Sequence, residues 1–265
     1  MVLARGLGTR MKAGDAGASL SAEQAAVADT GLKSLVPLSD RPLLDYILSA
    51  LADAGCSEVC LVIGPEHDLI RERYTKTARP RRFNLSFAIQ EKPRGTGDAV
   101  LAAEPFVGGD EFLMTNSDNY YPVDALRALV EMGRPGTVLF TPEGLAARSN
   151  IEPSRILAFA FGKIGADGGL DALVEKPDPA ALLAIGPKRH VSMNCWRFPA
   201  SIFEACRLLT PSVRAELELT DAIMMTIAAG VRFKVLKSDE GVLDISKRSD
   251  IEAVRERLRG VVVDL

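Results

Sequence analysis

Leu3-Ala4-Arg5-Gly6-Leu7-Gly8-Thr9-Arg10-Met11 runs from an apolar stretch straight into a glycine-rich loop bearing a threonine and an arginine. Glycines let backbone N–H groups approach a polyphosphate closely, and an arginine adds a charged fork of donors. The loop is not a Walker A motif, because no Gly-Lys-Ser/Thr ends it. It is not the dinucleotide fingerprint either, because the third glycine is missing at the required spacing. A purely structural glycine turn stays open at this point. The chain has only two histidines, His67 and His190. That weakens a Ser-His-Asp hydrolase and a histidine-rich metal site. His67, in Gly64-Pro65-Glu66-His67, reads as a surface residue; His190, ahead of a strand, reads as packed. Chemistry then rests on carboxylates, lysines, arginines and backbone groups. Cys56 and Cys60 lack a nearby thiol or histidine to complete a zinc site and read as buried thiols. Met1 to Ala4 is too short for a secretory signal, so a reducing cytoplasm is expected for all four cysteines.

Those groups need elements to hold them. The 265 residues are 47% hydrophobic and 25% charged, with a formal net charge of −3. This is a globular composition without the basic field that would hold nucleic acid or an anionic membrane. No apolar run approaches the ~20 residues of a membrane helix. Apolar runs predict strands at Val2–Ala4, Glu58–Ile63, Phe83–Ile89, Glu111–Thr115 and Thr137–Thr141. Helical patterns fall between them at Arg41–Ala54, Gly97–Ala103 and Val123–Met132. Strands alternating with helices predict a mostly parallel sheet with crossover helices. After about residue 142 the pattern changes. Strands are predicted at Ile156–Phe161, Leu170–Val174, Val191–Phe198 and Val231–Leu236, with helices at Ala200–Leu209, Leu219–Ala229 and Ser246–Arg259. One α/β unit spanning 1–265 is expected, with a first half of 1–142 and a mixed second half of 143–265. Lys12–Gly31, rich in alanine and glycine, reads as a mobile flap or a short helix.

Gly-x-Gly-Thr-Arg-Met after a first strand resembles the signature of sugar-1-phosphate nucleotidylyltransferases. The resemblance continues in order through Lys33-Ser34-Leu35-Val36-Pro37, Gln90 with Gly95-Thr96-Gly97-Asp98, Asn116-Ser117-Asp118, Glu175-Lys176-Pro177, Asn194, Glu216–Ile223 and Asp244-Ile245. Each piece is weak alone; eight in the correct order are not. The resemblance implies a Rossmann-like, mostly parallel mixed sheet flanked by helices, of the nucleotide-diphospho-sugar transferase type. It implies a reaction in which a sugar 1-phosphate attacks the α-phosphate of a nucleoside triphosphate and pyrophosphate leaves.

By the same resemblance, Arg10 and the backbone of Ala4, Gly6, Gly8 and Thr9 hold the nucleotide, and Lys33 stabilises charge in the transition state. Asp118 and Asp244 bind Mg²⁺, a hard cation that takes carboxylate, phosphate and water ligands. Gln90, Gly95 and Thr96 read the base; Glu175, Lys176 and Asn194 hold the sugar phosphate, making 1–142 the nucleotide-binding half and 143–265 the sugar-binding half. UTP or dTTP with glucose 1-phosphate is the expected pair, while CTP or GTP with another sugar or alcohol phosphate stays open. No nucleic acid or membrane partner is expected, and a homo-oligomer is left open. Trp196 either lines the sugar pocket or packs in the core.

The chain departs from the family pattern in places. Arg5 stands where alanine or glycine is usual, which leaves three outcomes: a phosphate contact, a side chain turned away, or a crowded site. Asp244-Ile245-Ser246 replaces Asp-x-Gly, and Ser246 is a candidate cap for the last helix with Asp250 in its first turn. The first strand is short for the family. No hexapeptide repeat follows the catalytic segment, which argues against bifunctional acetyltransferase members. A catalytically weak, nucleotide-binding regulatory chain is the competing reading. A dinucleotide-dependent oxidoreductase is disfavoured by the glycine loop.

Overall fold

After its first residue Glu58–Ile63 is apolar throughout, and it forms a strand buried on both faces. Such runs belong in parallel sheets covered by helices. The computed structural model describes residues 1–13, 15, 18–187 and 189–265. Its strands are β1 (Val2–Leu3), β2 (Glu58–Ile63), β3 (Asn84–Ile89), β4 (Phe112–Asn116), β5 (Asn119–Tyr120), β6 (Gly136–Phe140), β7 (Ala160–Ile164), β8 (Leu170–Glu175), β9 (His190–Phe198), β10 (Lys234–Ser238) and β11 (Leu243–Asp244). Nine share one sheet, ordered β10-β6-β9-β4-β1-β2-β3, with β7 on β9 and β8 on β7. Along the main path the pairings are parallel except those of β9 with β4 and β6. The sheet is therefore mixed and mostly parallel, as expected. No described helix is long and apolar enough to cross a membrane.

The helix Leu43–Asp53 is buried from Leu43 through Leu51. Its one buried charge, Asp45, accepts from Arg73 Nε at 3.0 Å, Arg73 Nη2 at 2.5 Å and the Tyr74 hydroxyl at 2.8 Å. A fully paired carboxylate avoids the several kcal/mol that an isolated buried charge costs, so the helix can be apolar all round. Beneath the loop, Ser21 and Gln24 form a reciprocal capping box that starts the helix Ala22–Thr30. Of the two expectations for the insert, flap or short helix, Ala22–Thr30 takes the helix; Gly14, Ala16 and Gly17 of the insert lie outside the described residues.

Two predicted strands move. Ile156–Phe161 is replaced by a helical turn, Pro153–Ile156, and β7 begins only at Ala160. Proline at the first helical position is pre-set for a turn, which overrides the apolar run that follows. Val231–Leu236 shifts to Lys234–Ser238, because the Val231 N–H still bonds back to Thr226 and Phe233 dives into the core. The closing helix is Asp250–Arg257, shorter than predicted, and Ser246 does not cap it. Instead the Asp250 carboxylate accepts from the backbone N–H groups of Ser246 and Lys247, at 2.8 and 2.9 Å. His67 is buried rather than superficial, and His190 is buried as expected.

β9 changes neighbour along its length. His190–Ser192 pair with β7, and Trp196–Phe198 pair with β4. Asn194 lies at the branch with φ 57°, a left-handed conformation that asparagine tolerates better than most residues. Trp196, two residues on, is fully buried, stacked on Phe198 at 5.4 Å and edge-on to Phe233 at 5.7 Å. It is a core residue, not a pocket wall. Its indole N–H has no partner among the described residues. Trp196→Phe removes that orphan donor while opening a small cavity, so we expect a stability change within about 1 kcal/mol. Denaturant melts check the stability; an altered KM for a sugar phosphate would contradict the core placement.

Candidate functional site

Gly8 has φ +59°, and a Cβ there would stand 2.2 Å from the Gly31 carbonyl oxygen. The glycine loop is thus pressed against the end of the Ala22–Thr30 helix, and the chain turns at once into Thr9–Lys12. Gly6 is different. It lines the cleft, and a Cβ there would meet nothing within 4 Å. Nothing in the protein itself forbids a side chain at Gly6, so the space over it is left for something else.

A cleft of about 350 Å³ opens where β1, β3 and β4 end, the place where open α/β sheets bind ligands. Ala4, Gly6, Gly8, Thr9 and Arg10 line it from β1; Gln90, Gly95 and Thr96 from β3; Asp118 from β4; and Lys33 from its own 3₁₀ turn. The structure therefore brings ten of the expected residues together. Arg10 is exposed and makes no ion pair with the described residues. Lys33 Nζ lies 3.0 Å from Asp118 Oδ2, across 85 residues of sequence, with side chains 15% and 29% exposed. Asp118 Oδ1 carries no partner among the described residues.

On the β3 side, Gly95 has φ +117°, and a Cβ would stand 2.6 Å from the Leu217 backbone. Leu217 clamps the turn by donating to Arg94 at 2.7 Å and accepting from Gly97 at 2.9 Å. This places Glu216 at the cleft and holds the start of the Glu216–Ile223 segment against the Gly95–Asp98 turn. Gln90 Nε2 donates to Gly95 O at 3.1 Å and Asp98 Oδ2 at 2.8 Å. Both partners only accept, so the amide nitrogen is fixed there and Oε1 is left as an acceptor. Asp98 was not singled out from the sequence, although it sits three residues after Gly95.

Four expected residues lie outside this cleft. Glu175 ends β8, and Lys176 follows with φ 43°. Loss of water raises the Glu175 carboxyl above its ordinary range, against Arg214 and Lys176, which pull it down. Arg214 itself pairs with Glu218 at 2.8 Å. Asn194 joins the Asn116–Asp118 turn through Tyr121, whose hydroxyl donates to Met193 O at 2.7 Å and approaches Asn194 O at 3.3 Å, while the Asn116 N–H reaches the same hydroxyl at 3.4 Å. Tyr121 carries no motif, and only the fold reveals it.

Asp244 pairs with Asn119 in the β5–β11 ribbon, and Ile245 N donates to Asp118 O at 2.9 Å. Its carboxylate, 5% exposed, accepts from Arg155 Nη2 at 2.7 Å and Asn119 Nδ2 at 3.1 Å. Burial and then the charge of Asp118 raise its pKa, with Ser246 and Arg155 opposing. Arg155 also reaches Asp250 at 3.0 Å, so one guanidinium bridges the two acids. Arg248, two residues before the helix Asp250–Arg257, donates to Met11 O at 2.8 Å and Asp29 at 2.6 Å, binding the closing segment to the helix that follows the glycine loop and to the Ala22–Thr30 helix. This donor set suits a dication that takes one or two carboxylates and otherwise phosphate oxygen and water. Asp118 has an oxygen to spare; Asp244 shares its oxygens with Arg155 and Asn119.

Comparison with known proteins bears on this arrangement. The family described as nucleotidyl transferase matches residues 26–259. The chain is 29% identical over 206 residues to a low-salt glycan biosynthesis nucleotidyltransferase, Agl11, of Haloferax volcanii, covering 77% of this chain and 54% of that protein. It is 31% identical over 276 residues to a glucose-1-phosphate thymidylyltransferase of Streptomyces griseus, covering 99% and 68%. The chain thus spans about half of one curated relative and two thirds of the other. Among solved structures, a UDP-glucose pyrophosphorylase complexed with UDP-glucose superimposes with a TM-score of 0.73 at 17% identity, covering 97% of each chain. That likeness is one of fold. With residues 26–259, most of this chain, matched by the family, the chain belongs to the nucleotidyl transferase family.

Proposed function

We propose that the protein transfers a nucleotidyl group from a nucleoside triphosphate to a sugar 1-phosphate. A phosphate oxygen of the sugar attacks the α-phosphorus, the α–β bond breaks, and pyrophosphate leaves. The observation that carries this reading is the one cleft in which a glycine loop, an arginine with no ion pair among the described residues, the Lys33–Asp118 pair and an oriented glutamine converge. Several negative charges meet in such a reaction, so catalysis is positioning and charge neutralisation. The loop N–H groups and Arg10 are placed for the triphosphate, with the space over Gly6 admitting it. Lys33 supplies a second cation where charge builds on the α-phosphate. Lys176 and Arg214 offer the charges for the sugar phosphate, with Glu175 and Asn194 for the sugar hydroxyls.

Asp118 is the residue that would hold Mg²⁺, with Asp244 the supporting carboxylate behind it. The bound ion would neutralise phosphate charge in the transition state. Gln90 supports the choice of base. Its Oε1, which accepts no hydrogen bond among the described residues, calls for an N–H donor on the base edge; uracil and thymine present one at N3 and guanine one at N1, while cytosine and adenine have a bare ring nitrogen at the equivalent place. This agrees with relatives named for thymidylyl transfer and UDP-glucose, so UTP or dTTP with glucose 1-phosphate remains the best pair.

The test is pyrophosphate release across a matrix of nucleoside triphosphates and sugar 1-phosphates, with Mg²⁺ or with EDTA. Turnover with a uridine or thymidine triphosphate, lost in EDTA, is the expected result. Nucleotide binding without turnover for any pair would instead favour a regulatory role.

A further inference from the structure

Arg5 turns away from the phosphate side of the cleft. Its Nε and Nη2 donate to the Glu66 carboxylate at 3.2 to 3.3 Å. The side chain is 7% exposed and lines the cleft, and Nη1 is buried without a hydrogen-bond partner among the described residues. In the sheet order β4-β1-β2-β3, Asp118 follows β4, Arg5 follows β1, Glu66 comes after β2 and Gln90 follows β3. Arg5 therefore leans from β1 toward the Gln90 side, away from Lys33 and Asp118.

We propose that Arg5 is a base-reading residue, donating from Nη1 to a carbonyl oxygen of the nucleobase beside Gln90. The inference rests on the nucleotidylyltransferase reading above. Three observations carry it. A buried N–H of a cation left without an acceptor is costly, and the cost is recovered when a ligand supplies the acceptor. The Glu66 pair is long for a charged hydrogen bond and Glu66 is 53% exposed, so the pair is weak and a small rotation presents Nη1 to the cleft. Finally, Glu66 cancels the charge of Arg5, and burial holds the neighbouring His67 toward its neutral form. The cluster then exerts little pull on phosphate but keeps a directed donor for an uncharged carbonyl. Uracil and thymine offer an N3–H flanked by two carbonyls and guanine an N1–H beside one, which match an acceptor at Gln90 beside a donor at Arg5, whereas cytosine and adenine present no ring N–H there.

The test is calorimetric binding of UTP, dTTP, CTP, ATP, GTP and inorganic tripolyphosphate to the wild type, Arg5→Ala, Arg5→Lys and Glu66→Gln. Arg5→Ala is expected to weaken the best-bound nucleotide about tenfold or more, as for loss of one hydrogen bond to a charged donor. Tripolyphosphate affinity is expected to stay within twofold, and the spread among the five nucleotides to narrow. Arg5→Lys keeps the stem and charge without the fork, so it shows the same split at smaller size even where the alanine variant melts early. An equal loss on tripolyphosphate would make Arg5 a phosphate contact, and unchanged nucleotide affinity would leave it a packing partner of Glu66; either overturns the proposal. A wild type that binds tripolyphosphate but no nucleotide better would bring down the nucleotidylyltransferase reading itself.

Discussion

Asp118→Asn abolishes useful turnover, lowering kcat on the order of 10³-fold, or about 4 kcal/mol of transition-state stabilisation. The amide keeps the shape of the side chain but removes its charge. Two things are lost together: the carboxylate oxygen free to meet a hard cation, and the partner of Lys33 at 3.0 Å. Removing one member of a partly buried pair leaves the other cation uncompensated, so Lys33 moves onto the phosphates. Nucleotide affinity is accordingly expected to change little, or to rise, while kcat collapses. The split between kcat and KM is what identifies a group acting in the transition state. Steady-state kinetics beside a thermal melt check this; a variant with near-normal kcat would remove Asp118 from the chemistry.

Gly8→Ala is expected to cost on the order of 2 to 4 kcal/mol of stability, from a left-handed backbone that alanine resists and a clash with a neighbouring main chain. The clash is with the Gly31 carbonyl at 2.2 Å, a backbone atom that cannot rotate aside. Relief requires the loop to lift off the Ala22–Thr30 helix, carrying Thr9, Arg10 and their N–H groups with it. Turnover is therefore expected to fall further than the melting temperature suggests. Gly6→Ala is the control, since open space above Gly6 accepts a methyl group without strain in the free protein. Its stability stays near wild type while its triphosphate affinity falls. Urea denaturation and nucleotide titration of both variants check the pair of expectations, and equal behaviour of the two would refute them.

How much of this was legible beforehand differs by element. β2 and the Leu43–Asp53 helix were visible because burial on all sides leaves a continuous apolar run or a wide apolar face. The glycine loop stands out by residue type alone, whereas Lys33, Gln90 and Asp118 stand out only through the family resemblance, which sets them at the expected order and spacing. What escaped was long-range or too short to pattern. The β5–β11 ribbon joins pairs of residues over a hundred positions apart, and two-residue strands carry no periodicity. Arg155 shows no signal in sequence, since an arginine after Pro153 reads as solvated until the fold sets Asp244 and Asp250 on either side of it. His67 was misplaced because its polar surroundings hide the fact that Glu66 folds back over Gly64 and buries the ring against it. Trp196 was ambiguous because its neighbour Asn194 does leave the regular strand, whereas the tryptophan rejoins it.

Arg155 and Arg248 also bear on how this sequence can change over generations. One holds the start of the helix Asp250–Arg257 to Asp244, and the other holds the same segment to the backbone of the helix Thr9–Lys12 that follows the glycine loop. The helix Asp250–Arg257 contributes no residue to the lining of the cleft, yet a substitution that tilts it would displace both ends of the proposed reaction centre at once. Natural selection on turnover therefore reaches a stretch of surface that would otherwise drift freely.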